Sequence, residues 1–323
     1  PGVELMRSIR EIDAESLRSY PDAGELERAI AKRWGVAPER IVVTNGGDDA
    51  IDRTCRATLE PGRNLVSHTP TFEMIPRVAR LAGATVRATR WVDDGFPTES
   101  IRSAIDDQTG LVAVVSPNNP TGGAAPVDAI HLLSTAARRV GAAFLVDLAY
   151  AEFADSDPTP DLLALDNAVI VRTFSKAFGL AGLRVGYAIA PPPISEWLRT
   201  TGGPYPVSGP SLALALHALA GHAGVPEAHV RRVREERAGL TSRLRSRGVR
   251  TIPSQANFVA AYVGDARAVR DRLLDRGIAV RAFEGGGDLE GLVRITLPGD
   301  PVAAASLFQA IDQVPDEFLE AQP

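Results

Sequence analysis

Residues 168–189 read Ala-Val-Ile-Val-Arg-Thr-Phe-Ser-Lys-Ala-Phe-Gly-Leu-Ala-Gly-Leu-Arg-Val-Gly-Tyr-Ala-Ile. Two apolar, partly β-branched runs, Ala168–Arg172 and Val185–Ile189, flank a loop of small, hydroxylated and glycine residues built around one amine. The runs predict strands of a sheet buried on both faces, and the loop predicts a site at their ends. The amine is Lys176, one of only two lysines in a chain where lysine and arginine together number 35. Lys32, beside Glu27, Arg28 and Arg33 on an amphipathic helical pattern, is what a bias toward arginine leaves behind. Lys176 is different, because its flanks suit a nucleophile and arginine, always protonated, forms no Schiff base.

Working outward, similar short runs recur at Ile41–Thr44, Asn64–Ser67, Thr85–Ala88, Leu111–Val115 and Ala143–Val146, with helical patterns such as Asp48–Leu59 and Val127–Val140 between them. Seven strands alternating with helices predict an α/β fold with a mainly parallel sheet and helices on both faces. After Pro210 the pattern changes. An apolar helix over Ser211–Ala220 and a long arginine-rich helix over Pro226–Arg247 precede strand Asn257–Tyr262, helix Ala266–Arg276, strand Leu292–Thr296 and helix Pro301–Val314. That is a smaller α+β domain. Gly285-Gly286-Gly287 reads as a mobile loop.

At 323 residues, 45% hydrophobic, the chain is long enough for two domains, and its net charge of −5 leaves no basic footprint for nucleic acid. Cys55 is the single cysteine, which excludes an internal disulfide, suits a reducing compartment and reads as a small core residue. The first ten residues lack the apolar run of a secretion signal, and Leu212–Ala220 is too short to span a bilayer, so a cytoplasmic protein is expected. No metal is expected: His68, His131, His217, His222 and His229 form no ligand cluster in the sequence and read mostly as surface or helix residues.

In open α/β sheets ligands sit beyond the carboxyl ends of the strands. After Ile41–Thr44 comes Asn45-Gly46-Gly47-Asp48-Asp49, where glycines let backbone approach an anion at a helix start. Gly-Gly-Asp is equally a common turn and cap. After Leu111–Val115 comes Ser116-Pro117-Asn118-Asn119-Pro120-Thr121-Gly122, either a plain turn or a rigid mount for an asparagine amide. After Ala143–Val146 comes Asp147-Leu148-Ala149-Tyr150. A carboxylate ending an apolar strand either caps the next turn or has a cationic partner.

Taken in order, Tyr20-Pro21-Asp22, Gly46–Asp49, Pro117–Gly122, Val146-Asp147 with Ala149-Tyr150, Thr173–Gly186 and Val293-Arg294-Ile295-Thr296 resemble the fold-type I pyridoxal-phosphate enzymes, specifically class I/II aminotransferases of the histidinol-phosphate aminotransferase type. The resemblance covers most of the chain. It implies pyridoxal 5'-phosphate as cofactor, held on Lys176 as a Schiff base, with Lys176 also moving the proton. Asp147 would pair with the ring nitrogen, and Asn119 and Tyr150 with the ring oxygen. The backbone of Gly47, Asp48 and Asp49, the hydroxyls of Thr173 and Ser175, and Arg184 would take the phosphate. Phe72 would stack on the ring, or else be a core phenylalanine. Arg294 matches the arginine that grips a substrate carboxylate, and Arg281 the substrate side chain or its phosphate, unless it is a solvated arginine. Tyr20 matches a tyrosine that reaches the cofactor phosphate of a neighbouring subunit, implying a homodimer with shared active sites. The domains expected are an arm and helix over 1–35 serving the dimer and the small domain, a cofactor domain over 36–210, and a linking helix with the small domain over 211–323.

The chain also departs from the family. Leu148 stands where relatives commonly carry Glu, and no Asn-Glu-Asn-Pro segment appears near the start. The departures leave the substrate undecided: the resemblance implies a 2-oxo acid with either an amino acid or a histidinol-phosphate-like amine, and a specialised biosynthetic enzyme acting on a different amino acid fits as well. A decarboxylase or lyase resembling threonine-phosphate decarboxylase would keep the same cofactor residues. A regulator's sensing domain would need a basic helix-turn-helix ahead of it, for which residues 1–35 are too short. No Gly-x-Gly-x-x-Gly follows a strand and no Gly-Lys pair exists, which disfavours nicotinamide and P-loop chemistry.

Overall fold

Every residue of five strands, β1 (Ile41–Thr44), β4 (Thr109–Val115), β5 (Ala143–Asp147), β6 (Ala168–Thr173) and β7 (Gly186–Ile189), is buried in the structure, a computed structural model that describes residues 9–91, 95–220, 227–284 and 286–319. Strand β2 (Asn64–Thr69) is buried except for its last residue, Thr69, whereas β3 (Thr85–Arg90) is mostly exposed and carries Arg87 and Arg90. The sheet order is β1-β7-β6-β5-β4-β2-β3, so β3 is an edge, and its arginines keep that edge from pairing with another chain. The pairs β2–β3, β2–β4, β4–β5 and β5–β6 are parallel, and β7 runs antiparallel to both β6 and β1. The mainly parallel, doubly covered α/β sheet expected from the sequence is the one found.

Continuous burial arises because each strand feeds two cores in alternation, as a period of two requires. Along β5, Phe144 and Val146 join a core with Leu26 and Ile30 of the Gly24–Trp34 helix, Ile130 and Leu133 of the Val127–Arg139 helix, and Leu212 of the Gly209–Ala220 helix. Ala143 and Leu145 face the other way, toward Ile51 and Cys55 of the Gly46–Thr58 helix, Val78 of the Met74–Leu81 helix and Leu198 of the Pro192–Thr201 helix. Cys55 is wholly buried and its thiol is pushed up to about 12 by burial and by Asp52, so it is an inert core residue.

A second, antiparallel sheet is ordered β10-β11-β9-β8. Strands β9 (Phe258–Tyr262) and β11 (Leu292–Thr296) fall where expected, while β8 (Arg250–Ile252) and β10 (Arg281–Ala282) are additions. Helices Ala266–Leu274 and Pro301–Asp312 cover it, each started by an aspartate: Asp265 accepts from the Ala268 N–H, and Asp300 from those of Val302 and Ala303. Such caps contribute about 1 kcal/mol each. The long helix Glu227–Ser246 supplies Val233, Leu240 and Leu244 to this core, which also takes in Tyr150, Phe153 and Ala177 from the loops after β5 and β6. The small sheet's core is thereby anchored on the loops that carry the candidate site.

Among the described residues no helix is long and apolar enough to cross a membrane.

Candidate active site

The Gly46–Thr58 helix starts directly beside β7, and two glycines permit it. Gly46 has φ +76°, and a Cβ there would sit 2.5 Å from the Arg184 guanidinium. A Cβ on Gly186 would come within 2.5 Å of the Gly46 carbonyl carbon and 2.6 Å of the Gly47 nitrogen. The helix N-terminus, with its unpaired N–H groups and positive dipole end, is thus laid next to the ends of β6 and β7.

The loop after β6 folds over this start. The Thr173 hydroxyl accepts from the Ser175 N–H at 3.0 Å. Arg184 closes the loop in the left-handed region at φ +52°, the one described non-glycine residue with positive φ. Its guanidinium lies 3.3 Å from the Asp48 carboxylate, 3.4 Å from the Ser175 hydroxyl and 3.2 Å from the Ala181 carbonyl. A non-glycine residue held there stores about 1 kcal/mol or more of strain, which fits a functional position.

These elements enclose a cavity of about 100 Å³ lined by Gly47, Asp48, Phe72, Asn119, Asp147, Tyr150, Thr173, Ser175, Lys176 and Arg184. The Lys176 Nζ stands 5.2 Å from the centre of the Tyr150 ring. Asp147 ends β5 at 5% exposure, and its carboxyl is pushed up to about 6. Burial is the main cause and Asp48 adds to it; the Ala149 N–H bond at 3.0 Å and the charges of Lys176 and Arg172 oppose it. The carboxylate thus caps the following turn through Ala149 and feels the charges of Lys176 and Arg172, but among the described residues it forms no ion pair. Asn119 accepts from Arg294 Nη1 through its Oδ1, which leaves its Nδ2 as a donor for the cavity.

Other candidates lie outside this lining. The Asp49 carboxylate binds Arg53 and the Asn45 N–H, turning back on its own helix end. Arg294 on β11 adjoins the cavity through Asn119, with its guanidinium 5.2 Å from the Phe258 ring and its Nε buried without a partner. Arg281 on β10 is exposed and directly opposite Arg294 in the antiparallel register, which puts both side chains on one face of the sheet. Tyr20 is 79% exposed and stacked on Tyr205, with ring centres 4.5 Å apart, so it does not line the cavity of its own chain. It borders instead a groove of about 640 Å³ between the N-terminal segment and the Gly209–Ala220 helix. That groove is larger than the strand-end cavity, but its charged lining, Asp13, Glu15, Asp22 and Glu25, offers neither an anchored amine nor an anion cradle.

Two features escaped the sequence reading. His68 is fully buried rather than on the surface: its Nδ1 bonds the Pro70 carbonyl at 3.0 Å, and its Nε2 accepts from the Val115 N–H at 3.2 Å. Asn118 donates to the same Pro70 carbonyl at 3.1 Å, so the segments that bear Phe72 and Asn119 are tied together. Arg172 is buried in β6 among Glu152, Asp157 and Thr159. A guanidinium in an otherwise apolar strand demands buried partners, and that signal was present in the sequence. His222 lies outside the described residues, and among the described residues no group of three or more His, Cys, Asp or Glu is placed to hold a metal.

Comparisons with known proteins agree with this arrangement. The family described as "Aminotransferase class I and II" matches residues 4–311. The chain is 33% identical to histidinol-phosphate aminotransferase 1 of Dechloromonas aromatica (strain RCB), covering 93% of this chain and 83% of that protein. It is 37% identical to the histidinol-phosphate aminotransferase of Xanthomonas campestris pv. campestris (strain B100), covering 87% and 81%. Among solved structures, histidinol-phosphate aminotransferase from Sinorhizobium meliloti in complex with pyridoxal-5'-phosphate superposes with a TM-score of 0.84 at 27% identity, covering 97% of this chain and 88% of that one.

Proposed function

The chain belongs to the class I and II aminotransferases, enzymes that work through pyridoxal 5'-phosphate, and from that premise we propose how its own residues divide the work and which amine it takes. The reading rests on one observation above the rest: a lysine, a buried carboxylate and an arginine-flanked helix start converge on a single strand-end cavity. The donor set fits the group at each end. Arg184, the Thr173 and Ser175 hydroxyls, and the N–H groups of Gly47, Asp48 and Asp49 would hold the phosphate. Asp147, kept dry by burial, would keep a proton on the ring nitrogen through its negative charge. Asn119 and Tyr150 would donate to the ring oxygen, and Phe72 would pack against the ring.

When bound, pyridoxal phosphate supplies the sink for the electron pair released at the substrate Cα. Lys176 Nζ would make the covalent attachment and, once displaced by the incoming amine, would take the proton from the substrate Cα and deliver it to C4′ of the cofactor.

For the substrate, Arg294 and Arg281 supply two guanidinium groups side by side. Together they can grip the single phosphate of an amine such as histidinol phosphate as donor, or take one carboxylate each of a dicarboxylic 2-oxo acid as acceptor. The names of the relatives support the same donor. The protein acts as a homodimer in the cytoplasm, with residues 1–35 and the groove beside Tyr20 and Tyr205 covered by a second copy and Tyr20 serving the neighbouring site. Residues 36–210 carry the cofactor, and residues 211–323 bring the substrate arginines to it.

The test is to mix the cofactor-loaded protein with histidinol phosphate and a panel of amino acids and follow conversion of the bound cofactor to its amine form. Histidinol phosphate should convert fastest. Borohydride should trap an adduct on Lys176, and Lys176→Ala should lose both adduct and turnover while remaining folded. Normal turnover in that variant refutes the assignment.

A further inference from the structure

Next in sequence to two cavity-lining residues, Thr173 and Tyr150, lies an ionic cluster that no step above uses. Arg172 stands on β6 one residue before Thr173 and four before Lys176, and its side chain is 1% exposed. Its Nη2 donates to Glu152 Oε1 at 2.6 Å, and its Nη1 to both Asp157 oxygens at 2.8 Å and to the Thr159 hydroxyl at 2.7 Å. The guanidinium also lies 5.2 Å from the Trp34 ring, whose indole N–H donates to the Tyr187 hydroxyl at 3.0 Å. Even so, Arg172 Nε and Glu152 Oε2 are buried without partners.

A cluster this deep, with two polar atoms left unsatisfied, is a poor source of stability, because apolar residues of similar volume commonly serve as well. Its placement suggests a different use. Glu152 lies in the 3-10 turn Ala151–Phe153 that directly follows Tyr150. The same turn is held on its other side by the long helix: Arg234 donates to the carbonyls of Glu152, Phe153 and Ala154, and Arg237 to that of Phe153 at 3.1 Å. The turn bearing Tyr150 is thus fixed between the strand leading to Lys176 and the helix of the small sheet's core.

We propose that Glu152 and Arg172 are positioning residues, whose ion pair sets where the Tyr150 ring and hydroxyl stand relative to Lys176 Nζ. The inference builds on the assignment of Lys176 and Tyr150 given above. The second carboxylate, Asp157, binds the same guanidinium but lies seven residues beyond Tyr150, which gives an internal control.

The experiment compares Glu152→Ala and Asp157→Ala by thermal denaturation, by kcat and KM, and by the pH midpoint of the visible absorption of the bound cofactor. If the cluster only stabilises the fold, both variants melt earlier and their midpoints and kcat match wild type, which overturns the proposal. If the pair positions Tyr150, Glu152→Ala loses about tenfold or more in kcat with KM little changed and shifts the midpoint, while Asp157→Ala leaves both where they were. Glu152→Gln, still able to accept from Arg172, should restore most of the kcat. Should Glu152→Ala not fold, Glu152→Asp keeps the charge but shortens the reach by about 1.5 Å; a folded Glu152→Asp with the wild-type midpoint also overturns the proposal. Absence of any borohydride adduct on wild-type Lys176 would instead undo the underlying assignment.

Discussion

Arg294 donates to the side-chain oxygen of Asn119 across 175 positions of sequence, joining the second strand of the small sheet to the loop after β4. The bond puts the arginine proposed for the substrate and the amide proposed for the cofactor in contact, so a substrate anion that takes Arg294 must share it with Asn119 or displace it. Arg294→Lys should fail where arginine succeeds, because an ammonium cannot bind two oxygens in parallel while still reaching the amide. We expect Arg294→Ala and Arg294→Lys to lower kcat/KM by about 100-fold, mainly through KM, a loss of about 3 kcal/mol. Steady-state kinetics on the best donor checks it, and unchanged amine affinity in Arg294→Ala would remove this residue from the site.

Asp147 shows a cost of function held in the fold. Its carboxyl has a folded pKa of about 6 against an ordinary 3.8, the direction that burial imposes. A raised carboxyl pKa means that the unfolded chain ionises first, so stability is highest below 3.8 and declines as pH rises through 6. The penalty above pH 6 is about 3 kcal/mol. Asp147→Asn should therefore stabilise the protein freed of cofactor above pH 6, with the gain fading toward pH 3.8, while kcat falls about 100- to 1000-fold. Urea denaturation at pH 8 and pH 4, set beside kinetics of the loaded enzyme, tests both halves.

The strand ends around the candidate cavity were legible in the sequence because β1 and β5 are apolar runs closed by their first polar residue, Thr44 and Asp147, whereas β6 carries Arg172 one residue before it ends at Thr173. Strands β8 and β10 were not legible. Three residues, Arg250-Thr251-Ile252, and two, Arg281-Ala282, carry no period of their own and become strands only by pairing with β9 and β11. His68 was hidden for another reason. Its partners are the backbone groups of Pro70 and Val115, and a side chain satisfied by backbone leaves no trace in residue types. Arg172 was visible as a charge in a buried strand, but its partners Glu152 and Asp157 are 20 and 15 residues upstream, beyond any local pattern.

His68 offers a pH test of the tie between the Phe72 and Asn119 segments. Burial holds its pKa down at about 4, with the Pro70 carbonyl opposing the fall. A neutral ring is needed, because Nε2 accepts from the Val115 N–H. A lowered histidine pKa means that the unfolded chain binds the proton first, so the stability is complete above 6.5 and is lost as pH falls from 6.5 through 4. The loss amounts to about 3 kcal/mol. The difference in denaturation midpoint between wild type and His68→Gln should narrow steadily between pH 7 and pH 4.5. A constant difference would show that His68 does not titrate as this burial requires.

Tyr20 provides the sharpest test of a shared site, because it does not line the cavity of its own chain yet is proposed to act in its neighbour's. In Lys176→Ala the dimer has no amine to bind cofactor, and in Tyr20→Phe each site lacks one hydroxyl at the phosphate, a loss expected to weaken cofactor binding about tenfold. Unfolded together and refolded as an equal mixture, the two variants pair at random, and half of the dimers are mixed. Each mixed dimer then holds one site with both Lys176 and Tyr20 and one site with neither. At cofactor concentrations that leave Tyr20→Phe sites mostly empty, the mixture should recover about a quarter of wild-type activity. If Tyr20 acts only within its own chain, the mixed dimers regain no complete site, and the mixture shows only the average of its two parents.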